Sequence, residues 1–134
     1  MAGFRPDEGK VLSGNILLKS ITTDRPVDLE IGLFTNAAAT ETLTELAVTE
    51  PAGAGYARKS LTDANWTELA EVFSYAVQTF TPVGGNWAGV QGYFIATKSG
   101  GGTQRLIAVE IDPNGPFTIL DGNDYAITPN ITML

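Results

Sequence analysis

The sequence predicts an all-β protein, a single β-sandwich of about seven or eight strands behind an N-terminal arm, and three observations carry that prediction. Apolar residues recur with a period of two in several separate runs from Pro26 onward. Clusters of Gly, Pro, Asn and Asp separate those runs at short intervals. No long stretch of helical periodicity interrupts them. Jelly-roll and immunoglobulin-like sandwiches share such patterns, and both stay open. The boundary falls at residue 26, with 1–25 as the arm and 26–134 as the sandwich domain.

Met1 to Lys10 is polar and irregular, while Val11 to Ile21 suits a short amphipathic helix or a strand equally well. The clearest strand is Val27 to Phe34: Val27, Leu29, Ile31 and Leu33 share one face, and Asp28 and Glu30 the other. Ala37 to Leu46 reads as a loop with at most one turn of helix. Tyr56 to Thr62 is a strand, and Val72 to Thr81 is another, apolar on both parities as if covered on both faces. Val90 to Thr97 and Gln104 to Ile111 flank Lys98-Ser99-Gly100-Gly101-Gly102-Thr103, whose glycines supply the positive-φ positions of a hairpin turn. After the breaker cluster Asp112 to Pro116, Phe117 to Leu120 is a short strand, and Asp121 to Asp124 is a turn. A last strand closes the chain. Within it Pro129 has no N–H for a ladder, so it marks an edge, a bulge or an outward-facing position.

The 134 residues contain neither cysteine nor histidine. That excludes disulfides, cysteine or histidine nucleophiles and bases, Ser-His-Asp triads, and zinc sites of thiolate or imidazole. Any catalysis would rest on a carboxylate pair or an oxygen-bound metal, and no good candidate for either stands out, so no enzyme, cofactor or metal is expected. Eight basic and 15 acidic residues give a net charge of −7, the wrong sign for tracking a phosphate backbone. No apolar run approaches the roughly 20 residues of a membrane span. Arg5, Asp7, Glu8 and Lys10 stand where a signal peptide would be apolar, which points to a soluble, non-secreted protein. The triplets at Asn65 and Asn130 match the glycosylation pattern and read as chance matches in that context.

Four features invite a functional reading. Asp112-Pro113-Asn114-Gly115 and Asp121-Gly122-Asn123-Asp124 have the composition of a calcium loop without EF-hand spacing, and ordinary turn-making explains them better. Trp66 and Trp87 would stack on a sugar ring if exposed, although core packing is the commoner use of a large aromatic. Glu41, Glu45, Glu50, Glu68 and Glu71 contain no spacing that would pair them, and they read as solvated charge on connecting segments. Gly53-Ala54-Gly55 lacks the third glycine and the helix of a dinucleotide fingerprint and reads as a flexible lead into the next strand.

Read in order, Ile31-Gly32-Leu33-Phe34-Thr35-Asn36, Gly55-Tyr56-Ala57-Arg58-Lys59-Ser60-Leu61-Thr62, Asn65-Trp66-Thr67 and Gln78-Thr79-Phe80-Thr81 resemble a family of small structural proteins of tailed bacteriophages. The order continues through Val90-Gln91-Gly92-Tyr93-Phe94, Arg105-Leu106-Ile107-Ala108-Val109-Glu110, Gly115-Pro116-Phe117 and Thr128-Pro129-Asn130-Ile131-Thr132. The resemblance runs from about Leu29 onward and is weakest in the arm. It implies a virion component made in the host cytoplasm. The first expectation is a capsid decoration, or cement, protein on the outside of the major capsid protein shell, a homo-oligomer with a trimer ahead of a dimer. The alternative is a tail, neck or baseplate component, including a glycan-binding host-recognition module acting through Trp66 or Trp87. On the first reading the Met1 to Lys10 arm orders on the shell, with Phe4 as apolar anchor and Arg5 and Lys10 as charges.

Overall fold

A computed structural model describes residues 2–20, 26, 28–98 and 103–132. The fold is all-β and sandwich-like, with twelve antiparallel strands and one α-helix among the described residues. The strands are β1 (Ala2–Phe4), β2 (Leu29–Phe34), β3 (Lys59–Leu61), β4 (Thr67–Leu69), β5 (Val72–Ser74) and β6 (Gln78–Phe80). They continue with β7 (Trp87–Val90), β8 (Gly92–Thr97), β9 (Leu106–Ile111), β10 (Phe117–Ile119), β11 (Tyr125–Ile127) and β12 (Asn130–Thr132), and the helix α1 spans Asp7–Leu18.

One five-stranded sheet, in the order β1-β9-β8-β2-β3, forms the main layer. Its opposing layer is built from shorter pieces: β12-β5-β4, β10-β7 and β11-β6. Ile31, Leu33, Tyr93 and Ile95 of the main sheet meet Phe80, Trp87, Val90, Ile119, Ile127 and Ile131 of the small sheets in one buried cluster. Phe34, Phe94, Ala96, Leu106 and Val109 project from the other face, under Phe4, Leu43 and Val48. The main sheet is therefore covered on both sides, which is why all six residues of β8 are buried and why β8 is apolar on both parities.

β8 and β9 pair as expected for hairpin arms, from Gly92 opposite Ile111 to Ala96 opposite Leu106, with a register shift between Ile95 and Ala96. The turn at Ser99 to Gly102 lies outside the described residues, as do Val27 at the start of the first expected strand, Ile21, and Met133 in the last. Val72 to Thr81 is not one strand covered on both faces. It divides into β5, which joins β4 and β12, and β6, which joins β11, and Phe73 and Val77 are exposed. The final segment divides likewise at Thr128-Pro129, since Pro129 has no N–H for a ladder.

The larger correction concerns the arm. Residues 2–4 are not irregular: Ala2, Gly3 and Phe4 pair with Ile111, Glu110 and Val109 at the edge of the main sheet. Pro6 then starts α1, its carbonyl accepting the Gly9 and Lys10 amides, and Asp7 and Glu8 sit in the first turn where the helix dipole favours negative charge. Gly9 lets α1 approach β9 so closely that a Cβ there would run into the Leu106 carbonyl. Glu8 Oε1 accepts the Leu106 amide at 2.6 Å and the Glu45 amide at 2.7 Å, tying helix, sheet and the 3-10 turn at Glu45–Ala47 together.

Candidate functional site

Among the described residues the most site-like feature is a cavity of about 390 Å³ beside α1, where the main sheet meets β12-β5-β4. Leu29, Trp66, Phe73, Ile107 and Ile131 give it an apolar wall, and Arg5 with Ser13 supplies most of its polar lining. Trp66 is half-buried and held by an edge-on contact with Tyr75, ring centroids 5.3 Å apart. Tyr75 is itself anchored, its phenolic oxygen accepting the Thr62 amide at 3.0 Å.

Arg5 leaves β1 and passes between this cavity and a second one of about 310 Å³, lined by Phe4, Glu110 and Asn130 among others. Its Nη2 donates to Ser13 Oγ at 3.0 Å, and the Ser13 hydroxyl donates in turn to the Gly9 carbonyl at 3.0 Å. Its Nε is buried and has no acceptor among the described residues. In the second cavity the Glu110 carboxylate lies against Gly3, its cross-strand partner, where a Cβ would collide with it. Burial pushes the Glu110 carboxyl above its ordinary range.

The five residues singled out for partner binding therefore separate. Arg5 and Trp66 share the first cavity, and Phe4 and Arg5 share the second. Lys10 stands apart on the exposed side of α1, paired with Asp7 at 3.2 Å and Glu41 at 2.9 Å. Trp87 is 2% exposed. Its indole N–H donates to the Gly53 carbonyl at 3.1 Å and its ring meets Tyr56 edge-on, so neither face is open to a sugar. Phe4 is a half-buried packing residue against the second core cluster, not a free anchor. Sequence reasoning missed Phe73, Ile107 and Ile131, whose apolar character looked like ordinary strand patterning.

The acidic residues correct another expectation. Glu45 and Glu50 are not solvated: with Glu30 they converge on Arg58, at 2.9, 2.9 and 2.7 Å, and all four side chains are about one-fifth exposed or less. Burial opposes the Arg58 charge, but the hydrogen bonds it donates to Glu50, Glu30 and Glu45 outweigh that and hold the guanidinium firmly protonated. The Phe94 ring lies 4.9 Å beneath it. Each carboxylate is engaged with one cation, which suits a structural clasp joining β2, the segment around Glu45 and the approach to β3.

The two Asp-rich turns engage their side chains with backbone and hydroxyl donors, one within its own turn and two in other segments. Asp112 accepts the Asn114 amide at 2.9 Å and the Tyr125 hydroxyl at 2.8 Å, and Asp121 accepts the Gly84 amide at 3.1 Å. No group of three or more acidic ligands able to hold a metal occurs among the described residues. No helix among them is long and apolar enough to cross a membrane. Comparison with models of known protein families, with curated proteins and with solved structures finds no match for this chain.

Proposed function

We propose that the chain is a non-enzymatic structural protein of a tailed-phage virion, bound as a decoration protein to the outside of the assembled major capsid shell. The observation that carries this reading is its exposed apolar surface. Leu17, Leu18, Leu46 and Leu69 are each more than three-quarters exposed, and Val11, Val77, Val83 and Leu120 add to them. Leu17 and Leu18 are neighbours in the last turn of α1, and this apolar pair left in solvent supports an adhesive role at that end of the helix. The ordered resemblance from Leu29 onward supplies the virion context.

The mechanism is mass action. Each exposed leucine that a partner covers contributes about 1.5–3 kcal/mol of burial, and a ligand that binds only the assembled lattice stabilises it against disassembly. The test is to incubate the purified chain with capsid shells assembled without it. Saturable binding to shells, none to unassembled capsid subunits, and a higher temperature of shell disruption are expected, with Leu17→Glu and Leu18→Glu weakening attachment. Absence from shells, or a few copies confined to the tail of intact virions by electron cryomicroscopy, would overturn the reading.

A further inference from the structure

We propose that the cavity walled by Trp66, Phe73 and Ile107 is a binding site for a small amphiphile, an apolar body carrying one carboxylate that pairs with Arg5. The site is independent of whether the chain sits on a virion. Its volume of about 390 Å³ lies in the range of small-molecule pockets, and apolar walls with a few convergent polar groups are their usual make-up.

Arg5 sets the ligand's charge. A guanidinium has five N–H donors and no acceptor. Here one nitrogen reaches a neutral serine oxygen, the Nε–H has no acceptor, and no carboxylate among the described residues pairs with the group. A half-buried cation left this way is costly, and a carboxylate reaching its remaining Nη nitrogen is the partner whose charge matches it. A phosphate monoester would bring a second charge and a larger hydration shell into a mostly apolar wall, and a sugar would find few hydrogen-bonding groups there. Asp63, the one carboxylate lining the cavity among the described residues, is exposed and solvent-screened. The ligand body then lies between the Trp66 indole and the Phe73 ring, and its carboxylate lies towards α1.

Decanoate and decanol, titrated below their aggregation limits by calorimetry with tryptophan emission followed in parallel, separate the two halves of the proposal. Saturable decanoate binding is expected to shift the emission of Trp66, since Trp87 is sealed in the core. Arg5→Gln should weaken decanoate about tenfold or more, the weight of a charge-assisted hydrogen bond, and leave decanol unchanged. Arg5→Lys should retain much of the affinity, and Phe73→Ala, at a residue already 38% exposed and therefore tolerant, should weaken both probes. Decanoate should raise the unfolding temperature of the wild type. Equal decanoate affinity in wild type and a folded Arg5→Gln variant would overturn the proposal. So would the absence of saturable decanoate binding to the wild type, or binding that leaves Trp66 emission unmoved and survives Phe73→Ala.

Discussion

The Tyr56 hydroxyl caps Leu33: its oxygen accepts the Leu33 amide at 2.8 Å while its proton goes to Glu50 at 2.7 Å. β3 pairs with β2 only from Leu29 to Ile31, so the next edge amide of β2 has no strand to bond. The phenol takes the place of the missing strand residue. Gly32 makes room for it, since a Cβ there would come within 2.8 Å of the hydroxyl and 2.6 Å of the Phe94 ring.

Tyr56→Phe should therefore keep the ring contacts with Phe80 and Trp87 and lose only the cap. Leaving the Leu33 amide and a Glu50 oxygen without the phenol costs about 1–3 kcal/mol. Urea unfolding would read this as a lower midpoint at unchanged slope, with faster hydrogen exchange at Leu33. A loss below about 0.5 kcal/mol would mean that water replaces the phenol fully.

Arg58→Gln removes the one cation shared by Glu30, Glu45 and Glu50. Removing one partner of a buried ion pair costs about 3–5 kcal/mol, and the residual exposure of these groups puts the expected loss nearer about 2–3 kcal/mol. Denaturant unfolding should read this as a lower midpoint at unchanged slope. A loss below about 0.5 kcal/mol would show that the carboxylates rehydrate without the arginine.

The N-terminal residues are part of the folded sheet, so deleting residues 1–10 should lower stability by about 2 kcal/mol or more through loss of the β1 ladder and of buried Pro6 and Gly9. Gly9→Ala is the sharper probe. Its Cβ would meet backbone, the Leu106 carbonyl, which cannot rotate away. Hydrogen exchange should then accelerate in α1 and β1 while β2 and β8 keep their protection. Uniform acceleration across the main sheet would mean that α1 and the sheet open as one unit.

These sites differ in how far the sequence announced them. The β8–β9 pair was legible because triglycine between two strand-forming arms is a local signal, whereas burial on both faces was expected of Val72 to Thr81 and is found in β8 instead. The arm was not legible. α1 buries Gly9 and Leu12 and exposes Val11, Leu17 and Leu18, so its apolar residues give no clean 3.6-residue stripe. β5 and β6 looked continuous because nothing in Tyr75-Ala76-Val77 breaks a strand. The break follows from long-range bonding, with the Tyr75 amide donating to the Pro129 carbonyl at 3.0 Å. The Arg58 clasp joins residues 8 to 28 positions apart, a separation that no period reveals. Arg5 and Trp66 were both singled out, yet only the fold brings them to one cavity.

The four tyrosines make a final prediction about alkaline pH. Burial, then the Glu50 hydrogen bond, raises Tyr56 above its ordinary 10.0; burial, then the Glu110 charge, pushes Tyr93 up to about 12; and burial, then Asp112, raises Tyr125. Tyr75 moves the other way, lowered by hydrogen bonds from Asn65 and then the Thr62 amide. In the three raised cases the native chain keeps a proton that the unfolded chain releases near pH 10.0, so the unfolded state binds fewer protons above that point. The stability they contribute is complete below pH 10.0 and is lost as the pH climbs through their folded values. Phenolate absorbance followed alongside near-ultraviolet circular dichroism should show one tyrosine ionising reversibly below pH 10.0 with tertiary structure intact. The other three should ionise together, only as that structure collapses. Tyr75→Phe should abolish the early step and leave the late one unchanged, whereas four phenols titrating together near 10.0 in a folded chain would contradict the burial of Tyr56, Tyr93 and Tyr125.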